Sequence, residues 1–389
     1  MPHRSGKLDG LLADPRIPAV AGSLPRTLSF LRARPTASGR TLGLGAQVLL
    51  DEVVISLLRN PALFPSAEDI AVAGTEVRAA HEYWRTRGWT TRPESYHRPP
   101  GMPEAEVRLT SLAGRHHHAM RFPVDYEPEP GEPGRDRWLA QAHNRTARVS
   151  LLRQPRSGRP WLICVHGFGM GQLRADLAWF RSRRLHQDLG LNLALPVLPS
   201  HGPRISPGLR TGEGFTSVNI VDGIHGVAQS VWEIRALVRW IRDTDPTAPI
   251  GLYGVSLGSC VASVAASLEP DLACVVAGIP VSNLFDLYLR NSPAEVLAAG
   301  RLTGATGPEA DEIARVVSPL HLQPLVPRTG RHVIAGVGDR MSTPEQAEAL
   351  WEHWQRPSIH WYRGGHVGYF FTRRAQRAVE AAVRRSLLG

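Results

Sequence analysis

The residues with the clearest chemical potential form the run Gly254-Val255-Ser256-Leu257-Gly258. This is a G-x-S-x-G pattern, with an apolar run before it and an Ala/Ser-rich stretch after it. Such a context predicts a sharp turn from a strand into a helix, in which glycines occupy positions where a side chain would collide. The turn would place the Ser256 hydroxyl at a helix N-terminus, where developing negative charge is favoured. The pattern therefore indicates a nucleophilic serine.

A serine hydroxyl needs a base near neutral pH, and the base needs a group that orients it. Asp339 follows the apolar run 332–338, and His366 follows Gly364 and Gly365. Both residues come after predicted strands, as Ser256 does. Because the carboxyl ends of parallel strands meet at one edge of a sheet, we expect the three side chains to lie together. We predict Asp339 as the acid and His366 as the base.

A tetrahedral intermediate also requires backbone N–H groups directed at its oxyanion. We expect one from Leu257, the residue after the serine. The second should come from the loop His166-Gly167-Phe168-Gly169, which follows the predicted strand 160–166. Phe168 is the preferred donor and Gly169 the next candidate. The sequence thus predicts an oxyanion hole built from two separate segments.

The ordered motifs HGFG (166–169), GVSLG (254–258), GVGD (336–339) and GGH (364–366) resemble the α/β-hydrolase superfamily, in its serine-esterase and peptidase-like branch. The resemblance covers roughly residues 104–389. It implies Ser256 as nucleophile, Asp339 as acid, His366 as base, and Phe168 and Leu257 as oxyanion donors. It further implies cleavage of a carboxylic ester or thioester through an acyl-enzyme on Ser256. An amidase or peptidase with the same triad, and a scaffold of this type without catalysis, are the alternatives.

Other residues compete for the same roles. Asp286 and, less strongly, Asp311 are alternative acids, because some hydrolases of this type take the acid from the preceding strand. His353 and His360 lie inside predicted elements, so they are weaker candidates for the base. We expect His166 to form hydrogen bonds within its loop.

The elements that must position these groups alternate between short apolar runs and amphipathic stretches. This alternation predicts an α/β fold with a doubly wound, mostly parallel sheet. We predict a helical N-terminal extension over residues 1–103 and a hydrolase-like domain over 104–389, with a helical cap insertion at about 284–319. Nine strands are predicted at 105–112, 117–123, 147–154, 160–166, 191–198, 249–255, 272–279, 332–338 and 358–363. Helices are predicted between them at 171–189, 222–243, 257–268, 343–355 and 372–387.

Two further helices are predicted within the N-terminal extension. The first covers 46–58, with apolar residues on or near one stripe (Val48, Leu49, Val53, Leu57 and Leu58). The second begins at Ser66, where Asp69 forms a variant of the capping box, and it continues to Gly88. The pattern leaves open whether this extension packs on the sheet edge or contributes to the cap.

Composition excludes several classes of protein. The chain has 389 residues, of which 42% are hydrophobic and 21% charged, and a net charge of +10. Lysine occurs only at Lys7, and the other 44 basic residues are arginines scattered along the whole chain. Nucleic-acid binding proteins usually concentrate their cations on one face, so we expect no nucleic-acid partner. Three cysteines in apolar runs (Cys164, Cys260 and Cys274) favour reduced thiols and a cytoplasmic protein.

Neither a metal nor an organic cofactor is indicated. His116, His117 and His118 are adjacent, but neighbours in a strand point to opposite faces, and we expect a solvated turn there. No Gly-Lys-Ser/Thr run follows Gly258, and Gln172 stands where a dinucleotide-binding loop would need its third glycine. The sequence contains no run of about 20 apolar residues, so we predict no membrane span. The expected partner is a small acyl substrate, and the oligomeric state stays open.

Overall fold

The computed structural model describes residues 41–58, 65–112, 115–215 and 219–389. Its centre is a nine-stranded sheet with the order β1-β2-β3-β5-β4-β6-β7-β8-β9. The first three strands are antiparallel to their neighbours, and the other six are mutually parallel. The strands are β1 Glu106–Leu112, β2 Arg115–Pro123, β3 Thr146–Leu152, β4 Trp161–Val165, β5 Asn192–Val197, β6 Ile250–Val255, β7 Cys274–Gly278, β8 Arg331–Gly336 and β9 Ser358–Tyr362. Each of the nine predicted strands is present.

The parallel strands are apolar on both faces because each face carries its own hydrophobic core. In β4, Ile163 and Val165 belong to one core, whereas Leu162 and Cys164 belong to the other. All residues of β4, β6, β7 and β8 are buried. Helices must therefore cover both sides of the sheet, as in doubly wound folds.

Helices cover both faces of the sheet, and three of them lie between β7 and β8, in the segment that was expected to form an insertion. Within the described ranges the α-helices are α1 Thr41–Leu58, α2 Ala67–Thr86, α3 Arg135–Leu139, α4 Leu173–Trp179, α5 Ile220–Thr244, α6 Leu257–Ala266, α7 Leu284–Asn291, α8 Ala294–Thr303, α9 Pro308–Ala314, α10 Pro344–His353 and α11 Arg373–Leu387. Residues of α5, α6 and α10 contribute to one core, and residues of α11 contribute to the other. Short 3₁₀ turns complete the chain at 93–96, 142–145, 202–204, 315–317, 319–321, 328–330 and 367–371.

The second N-terminal helix packs on the insertion. Ser66 and Asp69 form the predicted capping box at the start of α2. Helix α2 contacts α8 and α9, and also α5. At the contact with α8, Gly74 lies directly against the backbone of Thr303, whose carbonyl also accepts a hydrogen bond of 2.5 Å from Arg78. This part of the N-terminal region therefore lies on the insertion.

The structure corrects three local predictions, two about helices and one about the three adjacent histidines. The helix predicted over 171–189 is interrupted: α4 ends at Trp179, Arg181 has φ 50°, and a wider π-helical turn spans Arg183–Asp188. In helix α1, Val48 is buried as expected, but Leu49 is 45% exposed. The side chains of Val53, Leu57 and Leu58 lie outside the described set.

The three consecutive histidines form no turn. His116, His117 and His118 belong to β2 and pair with residues of β1. The pairing of β2 with β1 begins at Arg115 and continues through the three histidines. No group of three or more possible metal ligands occurs among the residues that the structure describes.

Candidate active site

Ser256 stands at the turn between β6 and α6. Its backbone has φ 55° and ψ −121°, a conformation that costs a side-chain-bearing residue about 1–3 kcal/mol. A Cβ on Gly254 would overlap the backbone of Gly258, and a Cβ on Gly258 would overlap the carbonyls of Val165 and His166. The glycines of the G-x-S-x-G pattern are thus required by close backbone packing. The turn leaves the Ser256 side chain half-buried at the carboxyl edge of the sheet.

The structure brings Ser256, His366 and Asp339 together. The Ser256 Oγ lies 3.0 Å from the Nε2 of His366, and the His366 Nδ1 lies 2.7 Å from the Asp339 Oδ2. Since an ionised carboxylate only accepts hydrogen bonds, Nδ1 carries the proton and Nε2 is free to accept from the hydroxyl. Asp339 and His366 are 2% and 6% exposed, so bulk water does not compete strongly for their hydrogen bond. This is the hydrogen-bonded chain that nucleophilic serine chemistry needs.

The electrostatic surroundings favour the protonated form of His366. Burial alone would lower the pKa of its imidazole, but the charge and hydrogen bond of Asp339, together with the charge of Asp51, raise that pKa above its ordinary value. An imidazolium that forms during proton transfer from Ser256 is therefore stabilised where it stands. The arrangement suits a group that must first accept a proton and then return it.

A second serine, Ser342, supports this pair. Its hydroxyl lies 3.2 Å from the Asp339 Oδ2 and 3.2 Å from the His366 Nδ1, and it donates to the carbonyl of Ile279. The backbone N–H of Met341 donates to the other oxygen of Asp339 at 2.9 Å. Ser342 directly precedes the helix predicted over 343–355, and the sequence analysis assigned it no part in the site. Its position three residues after the predicted acid was the signal for a role beside that acid.

The loop that follows β4 reaches the serine from the other side. A Cβ on Gly167 would lie 3.3 Å from the Cβ of Ser256, so the backbone of this loop passes directly over the nucleophile candidate. Phe168 follows in the same turn and is half-buried. Leu257, as the first residue of α6, has an N–H for which the helix provides no acceptor. Leu257 therefore directly follows Ser256, and Phe168 directly follows the glycine that packs against Ser256.

His166 fixes the start of this loop. Its Nδ1 donates to the carbonyl of Gly167 at 2.8 Å, and its Nε2 accepts from the N–H of Leu198 at 3.0 Å. Burial lowers the pKa of this histidine to about 3, so it is neutral. The residue forms loop hydrogen bonds, as the sequence analysis expected.

The competing candidates lie elsewhere. The Asp286 carboxylate accepts hydrogen bonds from Arg290 and Gln346, and Asp311 pairs with Arg315. His353 bonds to the carbonyl of Leu322 through its Nε2, and His360 belongs to strand β9. None of the four residues bonds to Ser256 or His366 in the described part of the chain.

A second carboxylate that sequence reasoning missed lies beside the histidine. Asp51 on α1 accepts hydrogen bonds from the backbone N–H groups of His366 at 2.6 Å, Val367 at 2.9 Å and Arg340 at 3.2 Å. Its side chain is fully buried. The partner of Asp51 could not be identified from the local pattern, because Asp51 and His366 are 315 residues apart in the chain.

Two proteins of Mycobacterium tuberculosis are similar in sequence to this chain. It is 42% identical over 356 residues to the uncharacterized protein Rv2627c of Mycobacterium tuberculosis, covering 91% of this chain and 84% of that one. The chain belongs to the Rv2627c family. The uncharacterized protein MT2702 of another Mycobacterium tuberculosis strain matches with the same identity and coverage. No protein-family model matches the sequence.

Solved structures show the fold of this Rv2627c-family protein. An acetyl xylan esterase from Paenibacillus sp. R4 superimposes with a TM-score of 0.52 at 15% identity, over 77% of this chain and 93% of that one. Acetyl xylan esterase 1 from Thermoanaerobacterium sp. gives a TM-score of 0.50 at 14% identity, over 75% and 93% of the two chains. The Rv2627c-family protein has the α/β-hydrolase fold. Among its described helices, none is long and apolar enough to cross a bilayer.

Proposed function

We propose that this protein is a serine hydrolase that cleaves a carboxylic ester or thioester through an acyl-enzyme on Ser256. The observation that carries the proposal is the hydrogen-bonded chain from Ser256 through His366 to Asp339, with links of 3.0 and 2.7 Å. Two features at the same turn support it, namely the left-handed backbone at Ser256 and the adjoining loop after β4. The esterases that share the fold are consistent with an acyl substrate.

The proposed reaction begins when the Ser256 Oγ attacks the carbonyl carbon of the substrate. The hydroxyl proton moves to the Nε2 of His366, while Asp339 holds the imidazole and stabilises its positive charge. The N–H groups of Leu257 and Phe168 would stabilise the oxyanion of the tetrahedral intermediate. His366 then protonates the departing alcohol or thiol, which leaves an acyl ester on Ser256. Water attacks that ester with His366 again as the base, and the carboxylic acid departs.

A fluorophosphonate probe tests the nucleophile directly. We expect the native protein to be labelled at Ser256 and the Ser256→Ala variant to remain unlabelled. Ser263→Ala is the matched control, because Ser263 lies in the same helix and its buried hydroxyl has no hydrogen-bond partner among the described residues. Labelling of the control should equal that of the native protein. If Ser256→Ala is labelled as strongly as the native protein, the assignment is wrong.

A substrate panel separates the possible leaving groups. Nitrophenyl esters of graded acyl length, the matching thioesters and the matching anilides should be hydrolysed at rates that fall by about 10⁶-fold in Ser256→Ala. We expect esters or thioesters to be preferred. Faster turnover of anilides would instead assign an amidase. A native protein that is neither labelled by the probe nor active on any member of the panel would be a hydrolase-like scaffold without catalysis.

We also propose that the protein is cytoplasmic. Cys164, Cys260 and Cys274 are all buried and unpaired. Because exported proteins commonly oxidise their cysteines, three free thiols favour the reducing cytoplasm.

A further inference from the structure

Helix α1 presents a carboxylate to the two loops that carry the acid and the base. Asp51 Oδ2 accepts from the N–H of His366 and from that of Arg340, the residue after Asp339. Its Oδ1 accepts from the N–H of Val367. The Asp51 side chain therefore binds both loops. In one loop it contacts His366 itself, and in the other it contacts the residue after Asp339. Hydrogen bonds to an ionised acceptor are about twice as strong as neutral ones, so this link is a firm one.

The loops are shaped to receive this helix. Along one face of α1, successive turns present the side chains of Leu44, Gln47, Val48 and Asp51. Each of these meets a glycine where a Cβ would collide, namely Gly338 in the acid loop and Gly364, Gly365 and Gly368 around the histidine. A Cβ on Gly365 would lie 2.5 Å from the Asp51 Oδ2. The glycines flanking the triad thus provide the space that α1 occupies.

The charged form of a carboxylate is energetically unfavourable at this buried position. Burial, followed by the nearby charge of Asp339, raises the pKa of Asp51 to about 6. The charge of His366 and the hydrogen bonds from the His366 and Val367 amides act in the opposite direction. The neighbouring Glu52 is also an acid, and the guanidinium of Arg340 contacts it at 2.9 Å. A buried charge with this cost indicates a role other than holding the helix in place.

We propose that Asp51 is a positioning residue of the active site, whose carboxylate fixes the loop bearing His366 relative to the loop bearing Asp339. The inference rests on the proposed function for the part that concerns turnover. The Asp51 charge acts through His366 in two ways, because it holds the backbone of the base in place and adds a second negative charge near the imidazole. Three titratable groups face Asp51 from the surrounding elements, namely Asp339, His366 and Tyr362.

Asp51→Asn is the central variant, since it keeps the shape of the side chain and removes the charge. The amide nitrogen must face at least one backbone N–H, so at least one hydrogen bond is lost. We expect kcat on the best nitrophenyl ester to fall by about 10²-fold with little change in KM, as for a misplaced catalytic group. The acid limb of the kcat/KM profile should move to lower pH, because removing the negative charge lowers the pKa of His366.

Glu52→Gln is the matched control on the same helix. It removes the ion pair with Arg340 without touching the amide of His366, and it should keep the native rate and pH profile. Gly365→Ala disturbs the contact from the opposite side, because the added methyl group displaces the Asp51 carboxylate. It should lower kcat in the same way as Asp51→Asn. It also provides a second variant should Asp51→Asn fail to fold.

A measurement that needs no turnover separates this inference from the proposed function. The Cε1–H resonance of His366, followed by NMR across pH in the full-length protein, reports the pKa of the imidazole. We expect a lower pKa in Asp51→Asn than in the native protein and in Glu52→Gln. An unchanged pKa and an unchanged kcat in Asp51→Asn would overturn the inference even in an active enzyme. A shifted pKa in a protein that resists the fluorophosphonate would retain the positioning of His366 and refute the proposed hydrolysis.

Discussion

The charge of Asp51 should make the stability of the folded protein fall as the pH rises. Its pKa is 3.8 as an ordinary aspartate and about 6 in the folded protein, so folding favours the protonated form. The associated stabilisation is fully present below pH 3.8 and is lost as the pH rises through about 6. A shift of about 2 units corresponds to roughly 3 kcal/mol of unfolding free energy. Asp51→Asn removes this dependence.

Thermal unfolding across pH measures the effect. For a chain of 389 residues, 1 kcal/mol changes Tm by a little over 1 °C, so the whole effect is about 4 °C. Most of this change in Tm falls between pH 4 and pH 8. The Tm of Asp51→Asn minus that of the native protein should therefore be about 3 °C higher at pH 8 than at pH 4.

A buried carboxylate outside the site provides the control. Burial raises the pKa of Glu132 to about 7, although Glu132 accepts hydrogen bonds from Trp84 and from the backbone of Glu129. Glu132→Gln should show the same trend in Tm while the rate of ester hydrolysis is unchanged. Parallel Tm curves for the native protein and Asp51→Asn between pH 4 and pH 8 would refute the argument from burial.

Three further predictions concern the base, a buried ion pair and the thiols. Asp339→Asn should lower kcat by about 10⁴-fold, because the imidazole loses the partner that fixes its tautomer. In the native protein, the acid limb of the kcat/KM profile should lie above pH 6.5, since the pKa of His366 is raised. Arg204 and Glu233 form a buried ion pair with two contacts of 2.7 Å, so Glu233→Gln should cost about 3–5 kcal/mol and lower Tm by roughly 4–6 °C in a calorimeter. Burial raises the pKa of all three cysteine thiols, and a thiol reagent should therefore react with them only after unfolding.

The sequence was most informative where structure is decided locally. Strands such as β4 and β6 are buried on both faces, so their apolar runs are conspicuous and their ends could be placed within a residue or two. The turn at Ser256 was predictable because only glycine fits at 254 and 258, and this constraint is visible in the sequence. The triad followed from the position of each group after a strand.

Contacts across the fold were not predictable in this way. Asp51 lies on the face of α1 that also buries Leu44, Val48 and Ile55, and an acid on such a stripe is the one local sign of its contact. The amphipathic pattern grouped Leu49 with Val48, although Leu49 is 45% exposed. Which stripe is buried depends on the glycines at 338, 364, 365 and 368, which belong to the other end of the chain.

The hydrogen bond between Asp51 and His366 also has a consequence for how the protein is made. The two residues are separated by 315 positions, and closing so long a loop costs on the order of 5 kcal/mol of chain entropy. During synthesis α1 is translated about 315 residues before His366. All nine strands precede His366 in the chain, so the contact between α1 and the proposed base forms only after the whole sheet has been translated. A nascent chain that stops before His366 lacks the proposed base and leaves the site incomplete.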